Sequence, residues 1–207
     1  MPRTKNQEGR RTTLRHAAAR AIVARGSSSI SLRDVATEAG VSPSSVLYYY
    51  PDLDELVSEA IQQAMERFYD RRHATAEALS DPREQLVTTI MGGFPSGSDD
   101  LDVLLLYLGV PVIRRSRPIA ALMRSLTGRQ VGLYRSILEV GAAQAVFDLV
   151  DDSWTIAANL VALEDAYGLY VMNGSEEHLG RYIGRTISYA SVATSCPLGD
   201  LAGAPAI

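Results

Sequence analysis

Cysteine is almost absent from this 207-residue sequence: Cys196 stands alone, which excludes an internal disulfide and any cysteine-built metal site. Long apolar runs are missing too. The stretch from Leu101 to Ile113 is apolar apart from Asp102, yet it falls short of the roughly 20 residues that a membrane span needs, so no membrane partner is expected. The opening residues Met1 to Glu8 are polar and carry no apolar signal region, which predicts a cytoplasmic protein. Histidine is scarce: His16, His73 and His178 lie far apart and form no ligand or base pattern. No Gly-x-Ser-x-Gly elbow, Walker loop, Gly-x-Gly-x-x-Gly fingerprint or His-Glu-x-x-His pair occurs, so neither an enzyme nor a cofactor is expected.

What is present is an ordinary globular balance, with 46% apolar and 21% charged residues, enough to bury a core. The net charge of −4 conceals a division along the chain. Through Pro51 there are eight Arg and Lys against three acids, a balance of +5; the remainder carries 12 basic and 21 acidic residues, or −9. A basic segment on an acidic body points to a polyanion partner for the first part alone.

Nearly every long segment repeats at helical period and none alternates convincingly at period two, which predicts an all-α protein of about nine helices. The first runs from Gln7 to Arg25 on a stripe of Leu14, Ala18, Ala21 and Ile22 and stops at Gly26. Ser31-Leu-Arg-Asp34 is a capping box that opens a second helix to Ala39. Gly40 stops it, and Ser42-Pro43 starts a third, to Tyr49. Later helices are predicted from Asp52 to about Leu79, Pro82 to Met91, Leu101 to Ser116, Pro118 to Gly141, Asp148 to Met172 and Ser175 to Thr194. The Pro-, Gly- and Ala-rich end, 196–207, reads as a loose tail.

Two short helices joined by Ala39-Gly40-Val41-Ser42 can cross steeply if the crossing residues are small, and Ala36 and Gly40 meet that need while Val35, Val41 and Val46 anchor the pair. An ordinary αα-corner is the competing reading. The stretch Ser31-Leu-Arg-Asp-Val-Ala-Thr-Glu-Ala-Gly-Val-Ser-Pro-Ser-Ser-Val-Leu-Tyr-Tyr-Tyr50 resembles the TetR family of regulators, as do the helix before it and Asp-Glu-Leu56 after it. The resemblance implies an N-terminal three-helix helix-turn-helix domain, 1–51, and a C-terminal helical bundle, 52–195, that dimerises and binds a small effector. It makes Pro43 to Tyr49 the recognition helix in the major groove. Ser42, Pro43, Ser44 and Ser45 then stand at its leading end, with Tyr48 and Tyr49 reaching phosphate or packing inside, and Tyr50 in the core. Arg10, Arg11 and Arg33 are candidate DNA contacts, with Arg15 and an arm of Arg3 and Lys5 as reserves. Two positions depart from the family: Leu47 replaces a tyrosine and Leu53 a phosphate-contacting lysine, and Asp52, Asp54 and Glu55 would repel phosphate there.

One reader meets only a half-site, so a homodimer on a palindromic double-stranded operator is expected. The last two helices are the candidate interface, through Trp154, Ile156, Leu160, Leu163, Tyr167 and Tyr170 on one and Leu179, Tyr182, Ile183, Thr186, Ile187 and Ala190 on the other, with intrachain core as the competing reading. The resemblance suggests that Met65, Phe68, Tyr69, Phe94, Leu105, Tyr107, Met123, Tyr134 and Tyr167 line an effector pocket, although such residues also serve as plain core. Glu164, Asp165 and Asn159 interrupt an apolar helix; any that is buried needs a partner, either the ligand or Arg181 or Arg185. The expected function is a repressor released by a small-molecule effector of unknown identity. The alternative is a helical protein-binding adaptor without DNA activity, which weak salt dependence would reveal.

Overall fold

The computed structural model describes residues 2–26, 29–97, 100–108 and 116–202; for residues 2–6, 176 and 202 it describes the backbone alone. Among these residues there are nine α-helices, two short 3₁₀ turns and no strand: α1 Pro2–Arg25, α2 Leu32–Ala39, α3 Pro43–Tyr49, α4 Leu53–Glu77, α5 Pro82–Gly93, α6 Leu101–Leu108, α7 Arg117–Ala143, α8 Ser153–Met172 and α9 Leu179–Ala193. The all-α reading therefore holds. Two compact units emerge, the described residues of Met1–Arg67 with Leu101–Met123, and those of Phe68–Asp100 with Arg124–Ile207.

In the first unit, Leu14, Ala17, Ala18 and Ala21 of α1 meet Val35 and Ala36 of α2, Val46 of α3, Tyr50, and Leu56 and Ala60 of α4. Small residues dominate the α1 and α2 faces, so the three short axes approach closely enough for a two-turn helix to be held by packing, which its length alone could not secure. Further along, Arg67 on α4 grips Asp102 on α6 through both Nε and Nη2, at 3.1 and 2.5 Å.

The second unit is built on Leu86, Val87 and Ile90 of α5, Tyr134 and Leu138 of α7, Ile156 and Leu160 of α8, and Ile187 and Ala190 of α9. Two glycines allow close approach there. A Cβ at Gly93 would overlap the Glu164 carboxylate, and one at Gly141 would overlap the Phe147 ring.

The structure shifts several expected boundaries. α1 begins at Pro2 rather than Gln7, since Pro suits a first helical turn. α8 begins at Ser153 rather than Asp148, because the Asp148 and Val150 amides are already committed to the Thr194 and Ala193 carbonyls and Asp152 supplies the cap to Trp154 and Thr155. α9 is preceded by the 3₁₀ turn Glu176–His178 in place of a helix from Ser175. Residues 109–115, part of the expected sixth helix, lie outside the described residues, as do 203–207 of the expected tail. Cys196 and Leu198 are buried in the second core, so the stretch expected to be loose is anchored as far as Leu198.

Candidate nucleic-acid interface and ligand-site residues

Local sequence builds the α2–turn–α3 unit with little help. The Ser31 hydroxyl receives the Asp34 amide, and the Asp34 carboxylate receives the Ser31 hydroxyl at 2.6 Å and the Ser31 amide at 2.9 Å; these bonds, with Arg25 nearby, hold the Asp34 carboxyl below its usual range. Gly40 adopts the left-handed conformation, φ 66°, and the Val41 amide returns to Ala36 at 3.0 Å, a geometry that a Cβ would strain. Ser42 then caps α3 with Pro43 at its first position. Val46 and Tyr50 face inward. Ser42, Pro43, Ser44, Ser45, Leu47 and Tyr48 face solvent, and Tyr48 is 73% exposed. The Ser42 hydroxyl lies 2.9 Å from those of both Ser44 and Ser45, so the leading end of α3 is a small cluster of hydroxyls. Tyr49 is half-buried and meets the Tyr48 ring edge-on.

The arginines of this region fall into two groups. Arg15 pairs with Glu8 and Glu59, Arg20 with Glu38, and Arg25 with Asp34. Arg10 and Arg33 are exposed and have no carboxylate partner among the described residues. Arg10 also borders a groove of about 250 Å³ with Thr13, Leu14, Ala39, Val41, Ser45 and Tyr49, which places a free guanidinium beside the hydroxyl-bearing face of α3.

Arg11 belongs to neither group of surface charges. Its guanidinium lies 4.1 Å above the Tyr50 ring, donates from Nη1 to the Tyr49 carbonyl at 2.9 Å and from Nη2 to Glu59 at 2.6 Å, and reaches Glu55 at 3.4 Å. Glu59 also accepts from the Tyr50 hydroxyl at 2.6 Å and from Arg15 at 3.2 Å. Burial pushes the Glu59 carboxyl up, but the bonds from Tyr50 and Arg11 outweigh it and hold the group below its ordinary value. The same surroundings push the Tyr50 hydroxyl far above its ordinary value, burial first and Glu59 second. Nothing in the sequence marks Glu59, which lies 48 residues from Arg11 in the chain.

The residues proposed for an effector pocket divide between the units. Met65, Leu105, Tyr107 and Met123 belong to the first; Phe68, Tyr69, Phe94, Tyr134 and Tyr167 belong to the second. Tyr69 stacks on His73 and carries the Arg129 guanidinium at 3.7 Å, while Tyr167 stacks on Tyr182 at 4.7 Å. The second unit's polar centre is Arg72, a residue the sequence reading passed over. Its guanidinium bonds Glu164 at 2.8 Å, the Tyr134 hydroxyl at 3.1 Å, the Thr89 carbonyl at 2.9 Å and Gln130, and it lies 5.3 and 5.4 Å from the Phe68 and Tyr134 rings. Tyr134 also donates to Glu164. Glu164 thus finds its partner on α4, not in Arg181 or Arg185, because the buried face of α8 looks inward to α4 and α5. Arg72 Nε and Thr89 Oγ1 are buried without a protein partner among the described residues. Asn159 is exposed and donates to the Tyr189 hydroxyl.

Of the proposed dimer residues, Ile156, Leu160, Tyr182, Thr186, Ile187 and Ala190 are consumed by the chain's own core. Trp154 (60%) and Tyr170 (50%) remain exposed, as do Leu169 (44%) and Val192 (69%), which the sequence reading did not name, on α8 and α9. Among the described residues no His, Cys, Asp and Glu group could hold a metal ion, and no helix is long and apolar enough to cross a membrane.

Comparison with known proteins agrees with this architecture. The family profile described as bacterial regulatory proteins, tetR family, matches residues 14–60. The transcriptional regulator BetI of Agrobacterium fabrum is 30% identical over 176 residues, covering 83% of this chain and 80% of that protein. The regulator PksA of Bacillus subtilis is 29% identical over 101 residues, so the chain spans about half, 49%, of that relative's length. In fold, the chain is similar to a transcriptional regulator from Saccharomonospora viridis solved in complex with choline, with a TM-score of 0.79, 23% identity, and coverage of 87% of this chain and 96% of that one.

Proposed function

The chain belongs to the tetR family of bacterial regulatory proteins, and from that premise we propose that it is a repressor that reads a palindromic operator as a homodimer and leaves it on binding a small effector. That it is a DNA-binding transcriptional regulator follows from the family; its sign, operator symmetry and oligomeric state are the proposal. The observation that carries the reading is the exposed face of α3, with Ser44, Ser45 and Tyr48, beside the unpartnered Arg10. Short hydroxyls suit base edges and phosphates, and a free guanidinium suits phosphate. Residues 1–51 serve as the DNA-binding domain and 52–195 as the effector and dimerisation domain in this proposal, with Trp154, Tyr170 and Val192 offering the surface that a second copy covers.

The effector site is proposed around Arg72, where Nε and Thr89 Oγ1 await an acceptor. The aromatic and carboxylate surroundings formed by Phe68, Tyr134 and Glu164 suit a cation, and choline, with which the Saccharomonospora viridis protein was solved, is a cation. Here Arg72 fills them, so the complementary effector carries an anionic or carbonyl oxygen. Helix α4 bears both Glu59 and Arg72 and so carries the message to the reader.

Selection from a random duplex library tests the core of the proposal. The purified protein should enrich a palindrome, and its affinity for that sequence should fall steeply with salt. Absence of enrichment, or binding insensitive to salt, would favour the protein-binding adaptor instead.

A further inference from the structure

We infer that Glu59 is the positioning residue of the DNA reader: one carboxylate on α4 that locks the C-terminal end of the recognition helix to α1, so that base-specific binding depends on it while general attraction to DNA does not. The inference rests on the proposal that α3 reads DNA, and it goes beyond it by assigning a role to a residue on another helix.

Glu59 ties two other elements to its own helix at once. Its Oε2 accepts from the hydroxyl of Tyr50, the C-cap of α3, at 2.6 Å and from Arg15 of α1 at 3.2 Å; its Oε1 accepts from Arg11 of α1 at 2.6 Å. Arg11 closes the circuit by donating to the Tyr49 carbonyl, the last residue of α3, while lying over the Tyr50 ring. A seven-residue helix makes too few internal bonds to hold its own direction. At its leading end it has the Gly40 turn, the half-buried Val41 and an exposed serine cap, and within it Val46 is the one fully buried side chain, with Tyr49 half-buried. Packing at Val46 and Tyr50 seats the helix, and the far end adds charge-assisted bonds that are directional in a way that apolar packing is not.

The same carboxylate has a second effect. By pairing with Arg11 and Arg15 it withholds two positive charges from any polyanion, leaving Arg10 and Arg33 without a carboxylate among the described residues. Loss of the carboxylate charge should loosen the reader and release cationic charge together. Those two consequences push specific and non-specific binding in opposite directions, a signature that simple unfolding does not produce.

The test compares wild type, Glu59→Gln and Tyr50→Phe on two duplexes, the sequence enriched by wild type and a scrambled version of it. Melting of each variant is followed in parallel. The expected result is about a tenfold loss on the enriched duplex for Glu59→Gln, which corresponds to the loss of one charge-assisted bond, with the scrambled duplex bound equally or more tightly. Tyr50→Phe, which removes one bond and leaves the ring under Arg11, should show the same pattern more weakly and serves if Glu59→Gln fails to fold. Equal weakening on both duplexes, or unchanged binding to the enriched one, overturns the inference while leaving DNA reading intact. A wild-type protein that enriches no sequence overturns both.

Discussion

Arg10 and Arg33 differ from their neighbours by one fact, the lack of a carboxylate within reach among the described residues. A phosphate contact from either displaces only water and releases condensed counterions, whereas Arg20 or Arg25 would first have to leave Glu38 or Asp34. Replacing Arg10 or Arg33 by Ala should lower DNA affinity for all sequences alike and reduce the slope of log affinity against log salt by about one; Arg20→Ala should leave that slope unchanged. Titrations at several salt concentrations decide it, and an unchanged slope in Arg10→Ala would remove that residue from the interface. The sequence could not make this division. It displayed eight positive charges and three acids up to Pro51, but which arginine meets which acid is set by contacts such as Arg20–Glu38 and Arg11–Glu59, formed only once the helices cross.

At the scale of elements, what was legible was local. Ser31 with Asp34, Gly40, and Ser42 with Pro43 act within four residues of themselves, so α2 and α3 were placed from the sequence at the bounds that the structure shows. The start of α8 was not legible, because the Asp148 and Val150 amides pair with carbonyls more than forty residues ahead. The tie between α4 and α8 was half legible: Glu164 stood out as a carboxylate in an apolar helix, but its partner Arg72 lies 92 residues away. That tie has a measurable pH dependence. Burial pushes the Glu164 carboxyl from its ordinary 4.5 up to about 7, against the pull of Arg72 and Tyr134. Because the folded value is the higher one, the group's contribution to stability is full below its ordinary value, shrinks as the pH rises and is lost above about 7. The stability of wild type minus that of Glu164→Gln should therefore fall between about pH 5 and pH 8 in denaturant titrations, where His16 cancels from the difference and Asp165, whose charge helps to raise Glu164, acts in the same direction. A difference that stays level or grows would refute this account of the pair.

For the whole molecule, the exposed apolar residues on α8 and α9 set the expectation. Trp154 and Tyr170, each half exposed or more, are large side chains that water covers poorly and a second copy covers well. The double substitution Trp154→Glu and Tyr170→Glu should shift the protein from dimer to monomer in light scattering and abolish retention of a two-half-site duplex, while helical content in circular dichroism stays unchanged. Retention of the dimer would place the interface elsewhere.

The hydroxyl cluster at the head of α3 bears on which genomic sequences such a dimer would occupy. Ser42, Ser44 and Ser45 are exposed and already bonded to one another, and each hydroxyl gives and takes with equal ease. Turning one of them toward a purine acceptor or toward a cytosine amine is the same small rotation. None is bound to one letter of the genetic alphabet as a guanine-reading arginine fork is. Sites served by this head should form a broad and degenerate set in which the spacing and symmetry of two half-sites carry more information than any single base pair.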